Sequence, residues 1–442
     1  MIKDKFFTNN HLSKYLFFLL PLSFCIGQAA VSFVFLFFVI IFLSIKQNTS
    51  FFYNDPIKII LIFYFSSLIL GSLFSLNINL SLYNAATYLR FFIFFLFLHL
   101  FEDFFKKKIQ TSFFLWSFFL ASIIILDAYF QYFNPLKEDI FGFKADVENA
   151  GRLTSIFGKE LIVGSVLYYL FFTSLFFFII FINNKMKIYK SIRNVSITFI
   201  IIFYLIAIFL SGDRMPFIMT LGTLFLIFFF LKDFKLNLSV ALIIFLLFFI
   251  FQIKNNRYFF DRYKIFIKEV SPVENKINDT VYETRNFFDS QWGAHFLTGY
   301  EIFKNNSYFG IGLKQFKVEC SSIAYENINS DFRSGRCSSH PHNLYIEMLA
   351  ETGIISSFIF VCLIVYFFIR CLKVLFNKKI KPYYNSYEYL IFVSFFVVNV
   401  FTFFPIRSSG SFFSNFSGSL IWYNFSFLFI YLKHFENITK KN

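Results

Sequence analysis

Apolar residues along this chain run in long blocks rather than alternating with polar ones. Stretches near 13–28, 29–45, 57–76, 82–101, 111–133, 160–182, 195–211, 215–231, 236–253, 353–376, 387–405 and 416–432 are largely free of charge. A helix needs about 20 mostly apolar residues to cross the hydrocarbon core of a bilayer. The blocks therefore predict about twelve transmembrane helices, some of them short. The first two form one run, interrupted at Gly27-Gln28-Ala29-Ala30. Lys3, Lys5 and Lys14 ahead of that run also fit a secretory signal peptide. The apolar pattern continues past any cleavage point and more spans follow, so we read it as membrane-spanning.

Basic residues sort by loop. With the N-terminus in the cytoplasm, inside loops carry Lys46 and Lys58, then Lys106, Lys107 and Lys108, then Lys185, Lys187, Lys190 and Arg193. Later inside loops carry Lys232 and Lys235, then Arg370, Lys373, Lys378, Lys379 and Lys381, then Lys433, Lys440 and Lys441. The short outside loops at 211–214 and 405–415 hold one arginine each, Arg214 and Arg407. This asymmetry follows the positive-inside rule, and an even span count places both termini in the cytoplasm. Two outside segments are long, 134–159 and 254–352. The second far exceeds an ordinary connection, and long ordered loops usually carry function. The expected organisation is residues 1–253 as the first group of spans with the outer loop 134–159, 254–352 as a large periplasmic loop containing short helices, and 353–442 as the last spans.

Composition changes the picture only by exclusion. The chain has 442 residues, 57% hydrophobic and 15% charged. A soluble domain averages about 25% charged residues; there is too little polar surface here for a cytosolic enzyme. The formal net charge of +15 would point to nucleic acid in a soluble protein. Here it is the by-product of cationic cytoplasmic loops, so membrane lipids rather than nucleic acid are the expected partners. Of the five cysteines, Cys25, Cys362 and Cys371 lie in or beside spans, whereas Cys320 and Cys337 share the large outer loop. In an oxidising periplasm these two are disulfide candidates; two free thiols are the alternative.

Ionisable groups at span mouths are costly and mark functional candidates. Arg214 sits in LSGDRMPF (210–217), Arg152 in GRLTSIFGKE (151–160), Arg407 in FPIRSSGSFF (404–413) and Arg285 in the large loop. A guanidinium keeps its charge and forks two hydrogen bonds onto phosphate. Arginines converging from separate outer loops suit an anionic head group such as a lipid diphosphate. Each alone also fits an interfacial arginine with its stem on apolar surface. Arg90 and His99, inside the fourth span, read as helix–helix polar contacts.

The sharpest feature is SSHPHNLYIEMLAETG, 338–353. Pro341 fits the first position of a helix with His340 as its cap, which puts His342 in the first turn. Glu347 and Glu351 then share a face, and Gly353 permits a break. A helix N-terminus binds anions and disfavours imidazolium. His342 is thereby placed to stay neutral beside a bound phosphate and to act as a general base. Two other readings remain at this point: a metal site using His340, His342 and Glu347, provided His340 lies outside the helix, or a histidine pair without a role.

HPHNLYIEMLAETGI resembles the signature of the O-antigen ligase/O-antigen polymerase superfamily of bacterial polytopic membrane glycosyltransferases. RLTSIFGKELIVGS (152–165), LSGDR (210–214), YEIFKNNSYFGIGLKQF (300–316) and FPIRSSGSFF resemble stretches of the same family. The resemblance implies a GT-C-like fold and transfer of a glycan from undecaprenyl diphosphate to an acceptor hydroxyl. That acceptor is lipid A-core in ligases, a further repeat unit in polymerases and a protein hydroxyl in some relatives. It further implies His342 as the catalytic histidine, supported by His340, Asn343 and Glu347. Arg214, Arg285, Arg407 and Arg152 become donor-binding candidates in an inverting displacement that requires no metal or nucleotide. The second Gly of the family's Gly-Leu-(Leu/Ile)-Gly stretch is Ser356 here, which bears on packing rather than chemistry. A transporter or flippase of lipid-linked sugars would use the same arginines, but transporters commonly show internal repeats and midplane broken helices. A receptor-like or structural protein would leave the histidine motif without purpose.

Overall fold

Inside hydrocarbon no water satisfies the peptide groups, and a helix pairs them all within one segment. Every apolar block accordingly lies on a helix. The computed structural model describes residues 11–45, 47–100, 108–145, 152–185, 190–230, 234–270, 273–277, 281–285, 287–328, 335–384 and 386–441. Helices α1 (His11–Ile26) and α2 (Gln28–Ser44) are separated by Gly27 alone. Then come α3 (Pro56–Ser72), α4 (Ile78–Leu100) and α5 (Lys108–Phe133). Helix α6 (Val163–Val166) runs through a π-helical turn at Leu167–Phe171 into α7 (Phe172–Lys185), followed by α8 (Lys190–Leu210), α9 (Arg214–Phe230) and α10 (Lys235–Asn255). Among the described residues, Ile78–Leu100, Gln110–Phe133, Ser191–Leu210, Lys235–Asn255 and Leu344–Leu375 are long and apolar enough to cross a membrane, and five further apolar helices are shorter.

Outward faces keep large side chains exposed: Phe33 63%, Phe63 62%, Leu247 64%. In water such a belt is an aggregation liability; against lipid it is the solvated surface. Lipid tails are as apolar as the helices, so packing inside the bundle holds it together. Phe35, Phe38, Phe91, Phe94 and Phe97 supply that packing, with centroids 4.7 Å apart for Phe35–Phe94 and 4.9 Å for Phe38–Phe97 in tilted geometry.

The large loop begins with α11 (Arg257–Val270), continues into an antiparallel hairpin of β1 (Val273–Ile277) and β2 (Val281–Arg285), and reaches α12 (Gln291–Asn305). The hairpin departs from the short helices expected there. Helix α13 (Leu344–Leu375) follows, then α14 (Tyr387–Thr402) and α15 (Asn415–Lys441). Helix α13 packs along α3 and against α12, and its kink falls at Gly353 (φ 68, ψ −176). Toward its other end Arg370 forks onto Asp55 (2.6 and 3.0 Å) and onto Glu436, and Lys433 bonds Asp55 at 3.0 Å. This nearly buried cluster ties α3, α13 and α15 together far along the helix from the histidines.

Candidate active site

The start of α13 is set by Asn343, not by Pro341. Asn343 takes an extended conformation (φ −140, ψ 130), and its side chain accepts from the N–H groups of Tyr345 (3.0 Å) and Ile346 (3.1 Å). Asn is among the best N-caps because its short side-chain oxygen satisfies those orphan donors. The expected cap at His340 and the placement of His342 in the first turn are therefore corrected. His342 lies outside the helix at φ 57. A left-handed non-glycine is strained and persists only where its surroundings hold it. Here Ser409 N–H donates to the His342 carbonyl (2.8 Å), while the Asn343 amide donates to the carbonyls of Pro405 (2.7 Å) and Arg407 (3.2 Å).

Three imidazoles gather at this point. The His342 ring centroid is 4.1 Å from His340 and 5.2 Å from His295, with Trp292 edge-on at 5.1 Å. His340 Nε2 faces the Ser409 carbonyl at 3.1 Å and Nδ1 faces Ser339 Oγ at 2.8 Å. A carbonyl only accepts, so Nε2 carries the proton and Nδ1 accepts from the serine. Burial, then the fields of His340 and His295, lower the His342 pKa to about 3. Burial also lowers His340 and His295. All three rings are neutral at neutral pH, and the cause is burial more than the helix end. Among the described residues no three His, Cys, Asp or Glu side chains are arranged to hold a metal ion.

One turn into α13, the two carboxylates act as clamps on neighbouring backbone. Glu347 accepts from Ser411 Oγ and from Phe412 N–H (2.8 Å). Trp422 donates to Tyr88 Oη (2.9 Å), which donates to the Phe412 carbonyl (3.0 Å), so the 404–413 segment is held from both sides. Glu351 accepts from the N–H groups of Lys314 (2.7 Å) and Phe316 (3.2 Å). The break at Gly353 frees backbone groups that segment 307–312 then satisfies. Ile311 and Gly312 donate to the Ala350 and Glu351 carbonyls (3.0 and 2.9 Å), and Ile354 donates to Ser307 (2.8 Å). A Cβ on Gly353 would lie 2.2 Å from the Tyr308 carbonyl oxygen.

The arginines fall into two groups. At the α8–α9 turn, Asp213 is buried, pairs with Arg152 and accepts from Gly164 N–H (2.8 Å). Arg152 also donates to Leu161 O (3.0 Å). Arg262 of α11 forks onto Gly212 O at 2.9 and 2.5 Å. Arg214 opens α9. Burial raises the Tyr258 phenol, while the fields of Arg262, Arg152 and Arg214 all pull it down. Arg262 was not picked out by motif. Its signal was its place in YFFDRY, four residues from Tyr258 on the aromatic face of an amphipathic helix. Arg407 stands apart: its backbone carbonyl adjoins Asn343, while its guanidinium turns to Thr402 and to Met219 of α9 (Nη1 to Sδ 3.8 Å). It is 7% exposed, donates from Nε to Thr402 O (2.6 Å), and its Nη2 is buried with no hydrogen-bond partner among the described residues. Arg285 ends β2 opposite Val273; its side chain lies outside the described residues. Arg90 donates to Asn415 (2.8 Å) between α4 and α15, a helix–helix contact as expected.

Cys320 and Cys337 form a disulfide with Cα atoms 5.2 Å apart. Arg336 reinforces it by donating to Cys320 O at 3.0 Å and to Tyr325 O and Ser321 O at 3.3 Å. The chain leaves this double clamp directly into Ser338, Ser339 and His340. A cavity of about 980 Å³ opens beside the histidines, lined by Ser339, His340, Ser411, Lys314, Lys317 and Glu160 among others. Motif reading missed the two lysines.

Residues 197–361 match the family model described as O-antigen ligase. Over that segment the chain is similar to the O-antigen ligase family, which supports the O-antigen ligase/polymerase superfamily. The matched segment runs from α8 into α13 and contains Arg214, Arg262, Arg285, the disulfide and the histidine motif; Arg152 and Arg407 lie outside it. Members of this superfamily are glycosyltransferase-like enzymes acting on lipid-linked glycans in polysaccharide biosynthesis, and the apolar helices agree with a multi-pass inner-membrane protein. No curated protein matches the chain.

Proposed function

We propose that this protein transfers a glycan from undecaprenyl diphosphate to an acceptor hydroxyl on the periplasmic face of the inner membrane, as an O-antigen ligase with lipid A-core as acceptor. Both termini are then cytoplasmic. The observation that carries this reading is the strained, neutral His342, held by Ser409 and packed against His340, which lines a large cavity. A neutral imidazole accepts a proton; a hydroxyl brought to it becomes a nucleophile. The acceptor oxygen attacks the anomeric carbon from the face opposite the diphosphate. The carbon–oxygen bond to phosphate breaks, the proton passes to His342, and configuration inverts. Charge develops on the leaving diphosphate, where preorganised guanidiniums lower the barrier most. Arg214 and Arg262 are assigned that role. Arg152 is tied to Asp213 and shapes their turn. Arg407, with its Nη2 unpartnered among the described residues, and Arg285 remain donor-binding assignments by family resemblance.

A base with a pKa of about 3 is weak by itself. A bound diphosphate places negative charge nearby and raises an imidazole's pKa, so the base strengthens when the donor is present. The test is a deletion strain. Undelivered long lipid-linked chains support ligation; accumulation of single repeats supports polymerisation by the same chemistry; an unaltered glycan profile contradicts both.

A further inference from the structure

The wall of the cavity that bears Lys314 and Lys317 is built with unusual firmness. Leu313 N–H donates to Ser81 Oγ (3.1 Å), Lys314 and Phe316 N–H to Glu351, and the Gln315 amide to Asn77 O (3.1 Å). Four anchors in four successive residues fix where both lysines leave the backbone. Lys314 moreover stands at φ 60, where glycine would be relaxed and a side chain costs on the order of 1 kcal/mol. The neighbouring Gly310 and Gly312, also at positive φ, show the relaxed choice in the same turn. Neither lysine makes an ion pair among the described residues. Lys314 is exposed; the partial desolvation of its ammonium lowers its pKa, Glu351 and Glu347 oppose this and Arg90 adds to it. An anion placed beside it opposes the field of Arg90. Glu160 is the cavity's carboxylate, on a different segment of the wall, and it repels an anion from that segment toward the lysines. None of Arg152, Arg214, Arg262 or Arg407 lines this cavity. The site thus has two separate cationic groups, with His340 reached from the lysine side.

A transferase has two substrates, and the arginine group suits the donor diphosphate. We propose that Lys314 and Lys317 form an anion subsite for the other substrate, so that the acceptor is a saccharide bearing phosphate or carboxylate near the hydroxyl that reacts. This rests on the transferase reading, and it names the acceptor's chemical class.

The experiment measures binding to the purified full chain in lipid nanodiscs. The probes are a hexose oligosaccharide carrying one phosphate, its phosphatase-treated counterpart, a hexuronate-containing counterpart, and inorganic pyrophosphate. Wild type should bind the charged oligosaccharides about tenfold more tightly than the neutral one, the size expected for one or two charge-assisted hydrogen bonds. The double variant Lys314→Gln, Lys317→Gln should lose that preference and bind pyrophosphate as wild type does. Lys317→Arg, which keeps the charge and leaves the strained position alone, should retain most of the preference. The phosphate and hexuronate arms separate the two sources of charge. Equal binding of charged and neutral probes by wild type overturns the proposal, as does a double variant that keeps the preference with an unaltered melting temperature. Weakened pyrophosphate binding with the preference intact assigns the lysines to the donor and overturns it too. Failure of glycan transfer by wild type would count against the transferase reading and leaves these binding results standing.

Discussion

His342 joins a left-handed backbone, a half-buried ring and two imidazole neighbours. Its protonation has a definite sign. The folded pKa is depressed from 6.5 to about 3, so the neutral base persists as pH falls, and kcat/KM, which reports the free enzyme, should stay level from neutrality down to about pH 5. A loss of half the kcat/KM near pH 6.5 would show an ordinary imidazole instead. The same depression governs stability. His295, His340 and His342 take up protons more readily in the unfolded chain, so their contribution is full above the unfolded value of about 6.5 and is lost as pH drops from there toward the folded values. Melting temperature should fall between about pH 7 and 5, and less steeply in His342→Gln. The importance of His342 was legible in the sequence, but its backbone was not. Pro341 in HPHN imitates a first helical residue, and only the side-chain bonds of Asn343 reveal the true cap. Likewise Arg152 and Arg214 stood out as charges at span mouths, while the Asp213 pairing and the approach of Arg262 depend on how α11 docks against Phe209 (Phe259 at 4.6 Å), which no local spacing encodes.

At the scale of elements, helix α13 organises the site by what it lacks. Its cap, its two inward carboxylates and its broken turn each leave a bond for a different loop to make. Asn343→Ala removes two accepted and two donated bonds, and should cost about 1–2 kcal/mol for the cap alone. Because segment 404–409 is released with it, transfer should fall by more than the lost stability explains; a drop in activity at a temperature where folding is intact checks this. Gly353→Ala adds a Cβ 2.2 Å from Tyr308 O at a positive φ, so segment 307–312 must shift, and with it Lys314. Chymotrypsin cleavage at Tyr308 and Phe309 should rise relative to wild type; unaltered cleavage would mean the break is not what holds the segment. The Cys320–Cys337 bridge closes a loop of sequence separation 17, worth about 3 kcal/mol in the chain-entropy model. Full labelling of both cysteines by a membrane-impermeant maleimide before reduction would exclude it. The helices themselves were readable because hydropathy alone decides them. The hairpin β1–β2 was not, since a polar loop carries no such pattern.

For the molecule as a whole, the histidines sit at one end of α13 and the Arg370–Asp55–Glu436–Lys433 cluster lies toward the other. The cluster joins helices that hydropathy treats as interchangeable cylinders, so which helix neighbours which was invisible in the sequence although Asp55 and Arg370 were plain to see. Breaking one partner leaves buried charge uncompensated, typically costing about 3–5 kcal/mol. Asp55→Asn should lower thermal stability in detergent strongly while leaving donor affinity of the folded fraction unchanged.

The central claim is that His342 takes the acceptor proton. It is tested by purified protein in liposomes, supplied with undecaprenyl-diphosphate-linked glycan and lipid A-core, comparing wild type with His342→Ala at equal amounts of folded protein. We expect a loss of at least about a hundredfold in glycan transfer, as for removal of a general base, with donor binding retained and His340→Ala less affected. Transfer by His342→Ala at the wild-type rate would contradict the account.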